Sequence, residues 1–115
     1  MNTEDIRTIC LGLKGATEDI KWGHDLVFSI GDKMFCVVGM DEVPVSASFK
    51  VPNEDFDELS SQAGFRPAPY VARYKWVLVD DINILPKKRL EKFLNESYRL
   101  VKEKLPAKIK KSLGV

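Results

Sequence analysis

The 115 residues predict one α+β domain spanning 1–115: a single antiparallel sheet with helices on one face, in the order α-β-β-β-α-β-β-α. Three observations carry this. Apolar residues recur with a helical period near both ends of the chain, they alternate with a period of two in the middle, and Gly- and Pro-marked turns separate the runs. At 44% apolar and 30% charged residues, the composition suits a globular chain that needs no metal or disulfide to hold its core.

The first helix rests on Ile6, Ile9, Cys10 and Leu13, at i, i+3, i+4 and i+7, with Asn2 or Thr3 as cap and Gly12 and Gly15 at its end. Residues 17–25 (Thr-Glu-Asp-Ile-Lys-Trp-Gly-His-Asp) keep no period and read as a loop or irregular edge. Residues 26–30 and 34–38 are β-rich and flank Gly31-Asp32-Lys33, a hairpin signal. From Val45 to Val51 the chain alternates, with Val45, Ala47, Phe49 and Val51 on one face and Ser46, Ser48 and Lys50 on the other.

Pro52 and Asn53 open a second helix in which Phe56, Leu59 and Ala63 share a face, and Gly64 closes it. Pro67 and Pro69 restrict residues 65–71 to an edge strand or extended loop. Residues 74–79 form a better strand, in which alternation groups Tyr74, Trp76 and Leu78 and assigns Trp76 to the core. Pro86 opens the longest helix, to about Lys104, whose Phe93, Leu94, Tyr98 and Val101 should pack on the sheet beside Phe28, Phe35 and Phe49. Pro106 breaks it, and Ile109 and Leu113 suggest a last helical turn with a basic outer face.

The net charge of +1 conceals a split. Residues 1–85 hold 8 Lys/Arg against 14 Asp/Glu, whereas residues 86–115 hold 10 against 3. Such a split suits a surface facing a polyanion, although lysine-rich helices also serve solubility. The polar, acidic start and the lack of a long apolar run lead to the expectation of a cytoplasmic protein without a membrane segment. Cys10 and Cys36 have no metal-ligand spacing and read as small buried hydrophobes in a reducing compartment.

No phosphate-binding glycine loop, nucleophile elbow or histidine pair is present, so the sequence supports no enzyme, metal or cofactor assignment. The single histidine, His24 beside Asp25, reads as a hydrogen-bonded surface residue. More informative is Tyr70-Val71-Ala72-Arg73-Tyr74-Lys75-Trp76, where aromatics alternate with cations as in surfaces that hold phosphates and stack on bases. A nucleic-acid surface is therefore expected at Lys33, Lys50, Tyr70, Arg73 and Lys75, with Lys108, Lys110 and Lys111 adding non-specific attraction. The alternatives are a protein-interaction module and a small-molecule site built from Trp22, His24, Lys33 and Tyr98.

Several pieces together resemble the MmcQ/YjbR family of small bacterial proteins over essentially the whole chain. They are Glu18-x-x-x-Trp22-Gly23-His24, Phe28-x-Ile30-Gly31-x-Lys33-Met34-Phe35, Phe49-Lys50-Val51, Pro67-Ala68-Pro69-Tyr70 through Lys75-Trp76-Val77, Leu85-Pro86 and Ser97-Tyr98-x-Leu100-Val101. The resemblance implies a frataxin-like (CyaY-like) or secretion-chaperone-like α+β fold and a DNA-binding role, with no catalytic residue set. Two places depart from the family pattern: Lys21-Trp22-Gly23 stands where Pro-Phe-Gly is usual, and Ala72-Arg73-Tyr74-Lys75 lacks the usual histidine. Iron binding in a frataxin-like fold would need an acidic ridge on the first helix, which offers only Glu4 and Asp5 beside Arg7 and Lys14.

Overall fold

Helix α1 (Thr3–Leu11) starts where the chain can satisfy its free amides. Asn2 Oδ1 accepts from the Asp5 amide at 3.1 Å, and Asp5 Oδ2 accepts from the Asn2 amide at 2.9 Å. The computed structural model describes residues 1–115. After α1 come strands β1 (Thr17–Lys21), β2 (Asp25–Ile30), β3 (Lys33–Gly39) and β4 (Ser46–Lys50). A 3-10 turn at Asn53–Asp55 runs into α2 (Phe56–Ser60), followed by β5 (Phe65–Pro67), a 3-10 turn at Ala72–Tyr74, β6 (Trp76–Val79), α3 (Lys87–Glu103) and α4 (Ala107–Leu113).

All pairings are antiparallel and the strand order is β1-β2-β3-β4-β6-β5. The predicted class and element order hold, with one strand more than the sequence suggested; the last helical turn expected around Ile109 and Leu113 is α4. The extra strand is β1, expected as a loop or irregular edge. It lies at the sheet margin with four of its five residues exposed, so it buries no face and shows no alternation; pairing with β2 is what makes it a strand. The second helix also stops at Ser60, short of Ala63.

The β2–β3 hairpin turns through Gly31 and Asp32 alone, both with positive φ (57° and 64°), as a two-residue turn of the primed type requires. Lys33 is therefore the first residue of β3 rather than part of the turn. Between Phe28 and Ser29 the register slips, Phe28 pairing with Cys36 and Ser29 with Met34, which leaves Phe35 as the extra residue of a bulge. Phe35 and Cys36 consequently both join the core.

That core lies between the sheet and the helices. Leu26, Phe28, Ile30, Cys36, Val38, Ala47, Phe49, Val77 and Val79 meet Ile6 and Cys10 of α1 and Leu90, Leu94, Tyr98 and Val101 of α3. Phe93 is only partly buried; it stacks on Phe49 at 5.0 Å between ring centroids and is capped by Arg89. Trp76 corrects the expectation more sharply. It is 5% exposed, but it lies on the sheet face away from the helices, because Val77 and Val79 fill the helix side and alternation sends Trp76 outward.

Candidate functional site

Two surfaces stand out: one end of the sheet, and the sheet face that the helices leave free. At the first, antiparallel pairing brings the start of β3 (Lys33), the end of β4 (Lys50) and the start of β6 (preceded by Lys75) to the same end. The end of α3 and all of α4 lie there too, since a Cβ on Gly31 in the β2–β3 turn would collide with Leu105 and touch Ile109.

Local bonding sets this end. Lys75 adopts a left-handed conformation (φ 66°) after the 3-10 turn, its amide donates to the Ala72 carbonyl at 2.9 Å, and its carbonyl accepts from the Val51 amide at 2.9 Å. Lys50 Nζ donates to the Tyr74 carbonyl, so this half-buried ammonium fastens the 72–75 turn to β4. Burial, and then the charges of Lys104 and Lys75, hold the Lys50 ammonium below the ordinary lysine range. Lys75 Nζ lies 5.1 Å from the Phe56 ring centre, and Arg73 stacks on Tyr74 at 4.8 Å. Every ion pair in the structure uses Arg7, Arg66 or Arg99, so none of these lysines nor Arg73 is neutralised by a carboxylate. Glu54 and Asp55, in the 3-10 turn that follows β4 and leads into α2, bound this basic surface on one side.

Expected residues thus meet here. Lys33, Lys50, Arg73 and Lys75 converge on one end, with Lys108, Lys110 and Lys111 beside them on α4. Lys104, not singled out from the sequence, joins them. Its signal was its place as the last residue before Leu105-Pro106, where α3 must stop.

Tyr70 belongs to the second surface. Val27, Val37, Ser48 and Leu78 form one row across β2, β3, β4 and β6 on the face free of helices. A groove of about 520 Å³ lies over this face, floored by Met34, Val37, Ser48 and Trp76. Trp22 walls it at the β1 margin and Pro69-Tyr70-Val71 at the β5 margin. Both walls carry aromatic residues in left-handed backbone, Trp22 at φ 55° and Tyr70 at φ 70°. For bulky L-residues that conformation costs about 1–2 kcal/mol each, and such residues gather at binding sites. The Trp22 turn is closed by the His24 amide donating to the Lys21 carbonyl at 3.3 Å, with Gly23 also at positive φ.

The four residues of the alternative small-molecule site do not come together. Trp22 walls the groove, whereas Tyr98 is on α3, edge-on to Phe35 at 5.5 Å, with its hydroxyl donating to the Lys14 carbonyl at 2.5 Å on the far side of the sheet. His24 is exposed in the Trp22 turn, and Lys33 is at the opposite end of β2. Sequence spacing could not reveal that the sheet separates them.

A family model described as YjbR matches residues 11–100, which include every strand and most of α3. The chain belongs to the YjbR family. Among solved structures, this YjbR chain is similar to Deinococcus radiodurans protein DR2400, which has a DUF419 domain: TM-score 0.89 at 26% identity, covering 99% of this chain and 88% of that one. It is also similar to a protein from Pseudomonas syringae, with TM-score 0.72 at 20% identity over 88% of this chain and 99% of that one, a likeness of fold. No curated protein matches. No helix of this YjbR domain is long and apolar enough to cross a membrane.

Proposed function

We propose that this YjbR domain is a non-enzymatic binding module that takes nucleic acid, held weakly through its phosphates at the basic end of the sheet. One observation carries the reading: Lys33, Lys50, Lys75 and Lys104, with the lysines of α4, share one end of the fold and none is paired with a carboxylate. Clustered cations without internal partners attract a polyanion by releasing its condensed counterions, and contacts of this kind carry no base specificity. The half-buried Lys50 supports the case: burial first, and then its neighbours Lys104 and Lys75, disfavour its proton, and a phosphate would relieve the charge repulsion. The acidic segment at Glu54 and Asp55 limits the footprint to one side. Cys10 and Cys36 are free and buried, which fits a reducing, cytoplasmic setting.

The test is a titration of a short duplex and a short single strand at several salt concentrations. Binding should be micromolar or weaker at physiological salt and should tighten at low salt. Reversing the two exposed residues Lys33 and Arg73 to Glu should make the log–log salt slope shallower by about two, near 0.9 per lost phosphate contact. Absence of binding to both ligands at low salt, or an unchanged slope in the double variant, would overturn the reading and leave a protein partner in its place.

A further inference from the structure

The groove on the free sheet face has a chemistry opposite to that of the basic end. We infer that it binds a small organic cation, an ammonium or guanidinium group carried on an apolar body. Trp22, Tyr70 and Trp76 all line it, and aromatic faces attract cations through their negative quadrupole. The only side chain lining it that is charged at neutral pH is Asp25, a half-buried carboxylate at the start of β2. Asp25 makes no ion pair, although Lys21 lies directly across from it in the β1–β2 register. Aromatic rings plus one unpaired carboxylate complement a cation; an anion would meet that carboxylate, and a neutral ligand would bury it without return.

Size and walls define the occupant further. A volume of about 520 Å³ suits a small molecule. The space ends at the Trp22 turn on one margin of the sheet and at Pro69-Tyr70-Val71 on the other, so the occupant is a free small molecule and not a passing chain. Trp22 is 62% exposed and Tyr70 98% exposed, which leaves both rings free to close on a ligand.

The protein supplies its own reporter, since both of its tryptophans line the groove. The full chain is titrated with choline, phenyltrimethylammonium, 3,3-dimethylbutan-1-ol (the uncharged isostere of choline), benzoate and a trimethyllysine peptide, following tryptophan emission and the Trp76 indole NMR signal. Choline and phenyltrimethylammonium should give saturable shifts, with choline about tenfold tighter than its isostere. Asp25→Asn should reduce that preference several-fold while its melting midpoint stays put, and Trp22→Ala should weaken both cations several-fold. The proposal is overturned if the isostere binds as tightly as choline, if benzoate binds better than the cations, or if the preference is undiminished in Asp25→Asn. It is equally overturned if no probe gives a saturable shift on folded protein up to about 10 mM, or if the trimethyllysine peptide outbinds both free cations.

Discussion

Replacing Ser97 by alanine removes one hydroxyl that serves two strands. Ser97, on the inner face of α3, is fully buried; its Oγ donates to the Phe35 carbonyl at 2.6 Å and accepts from the Lys50 amide at 2.9 Å. These are the groups that the bulge at Phe35 leaves without partners, because β3 and β4 pair only as far as Cys36 with Phe49. Alanine fits the space but cannot bridge, so a buried carbonyl and a buried amide both lose their hydrogen bond. Each such group costs about 1–3 kcal/mol, and the pair should cost about 2–6 kcal/mol of folding free energy. A urea titration of Ser97→Ala followed by tryptophan fluorescence should show that loss with an unchanged slope, and the Lys50 amide should exchange with solvent markedly faster. A loss below about 1 kcal/mol with the Lys50 amide still protected would refute the bridging role, since that is the scale of ordinary surface substitutions. The strand end that Ser97 holds is the one that bears Lys50.

Three further outcomes are expected. Leu94→Ala, at a fully buried α3 position, should cost about 2–5 kcal/mol in the same titration, and a near-neutral result would show that α3 does not pack through this face. A hydrogen bond with Cys10, and then burial, push the Cys36 thiol well above the ordinary range, so native protein should leave both thiols unreactive toward a disulfide reagent near pH ~8 while denatured protein exposes both; fast reaction of either native thiol would contradict this. Lys50 binds its proton less tightly in the folded than in the unfolded chain, so its contribution to stability should improve as pH rises from its folded value toward the ordinary 10.5; an Nζ titration by NMR should place it below 10.5, and a value at or above 10.5 would refute its burial and its crowding by Lys104 and Lys75.

How much of this was legible in the sequence depends on whether one residue or two distant segments carried the information. The long helix was legible because Leu90, Leu94, Tyr98 and Val101 repeat its period and Pro86 and Pro106 bracket it. The face of β4 was legible because Ala47 and Phe49 alternate with Ser48 and Lys50. β1 was not, since an edge strand that buries almost nothing has no pattern of its own, and only β2 across from it defines it. Residue type alone singles out Lys33, Lys50 and Lys75, but they converge because three antiparallel strands start or stop at one end, a fact of pairing rather than of spacing.

Trp76 shows most clearly where residue-by-residue reading fails. Its size favoured the core, and the alternation that paired it with Leu78 against Val77 and Val79 was already visible, yet the larger residue was given the core face. Two smaller β-branched residues fill the helix side of β6, while the tryptophan lies on the other face, where it lines the groove together with the Ala68–Val71 segment. Trp76 is thus 5% exposed without belonging to the main core, and the loop beside it holds Tyr70 in a left-handed conformation. A large aromatic outside the core that lines an open groove offers its face to a ligand. That is why the same misassigned residue that the core did not need becomes, with Trp22 and Asp25, the base of the cation groove.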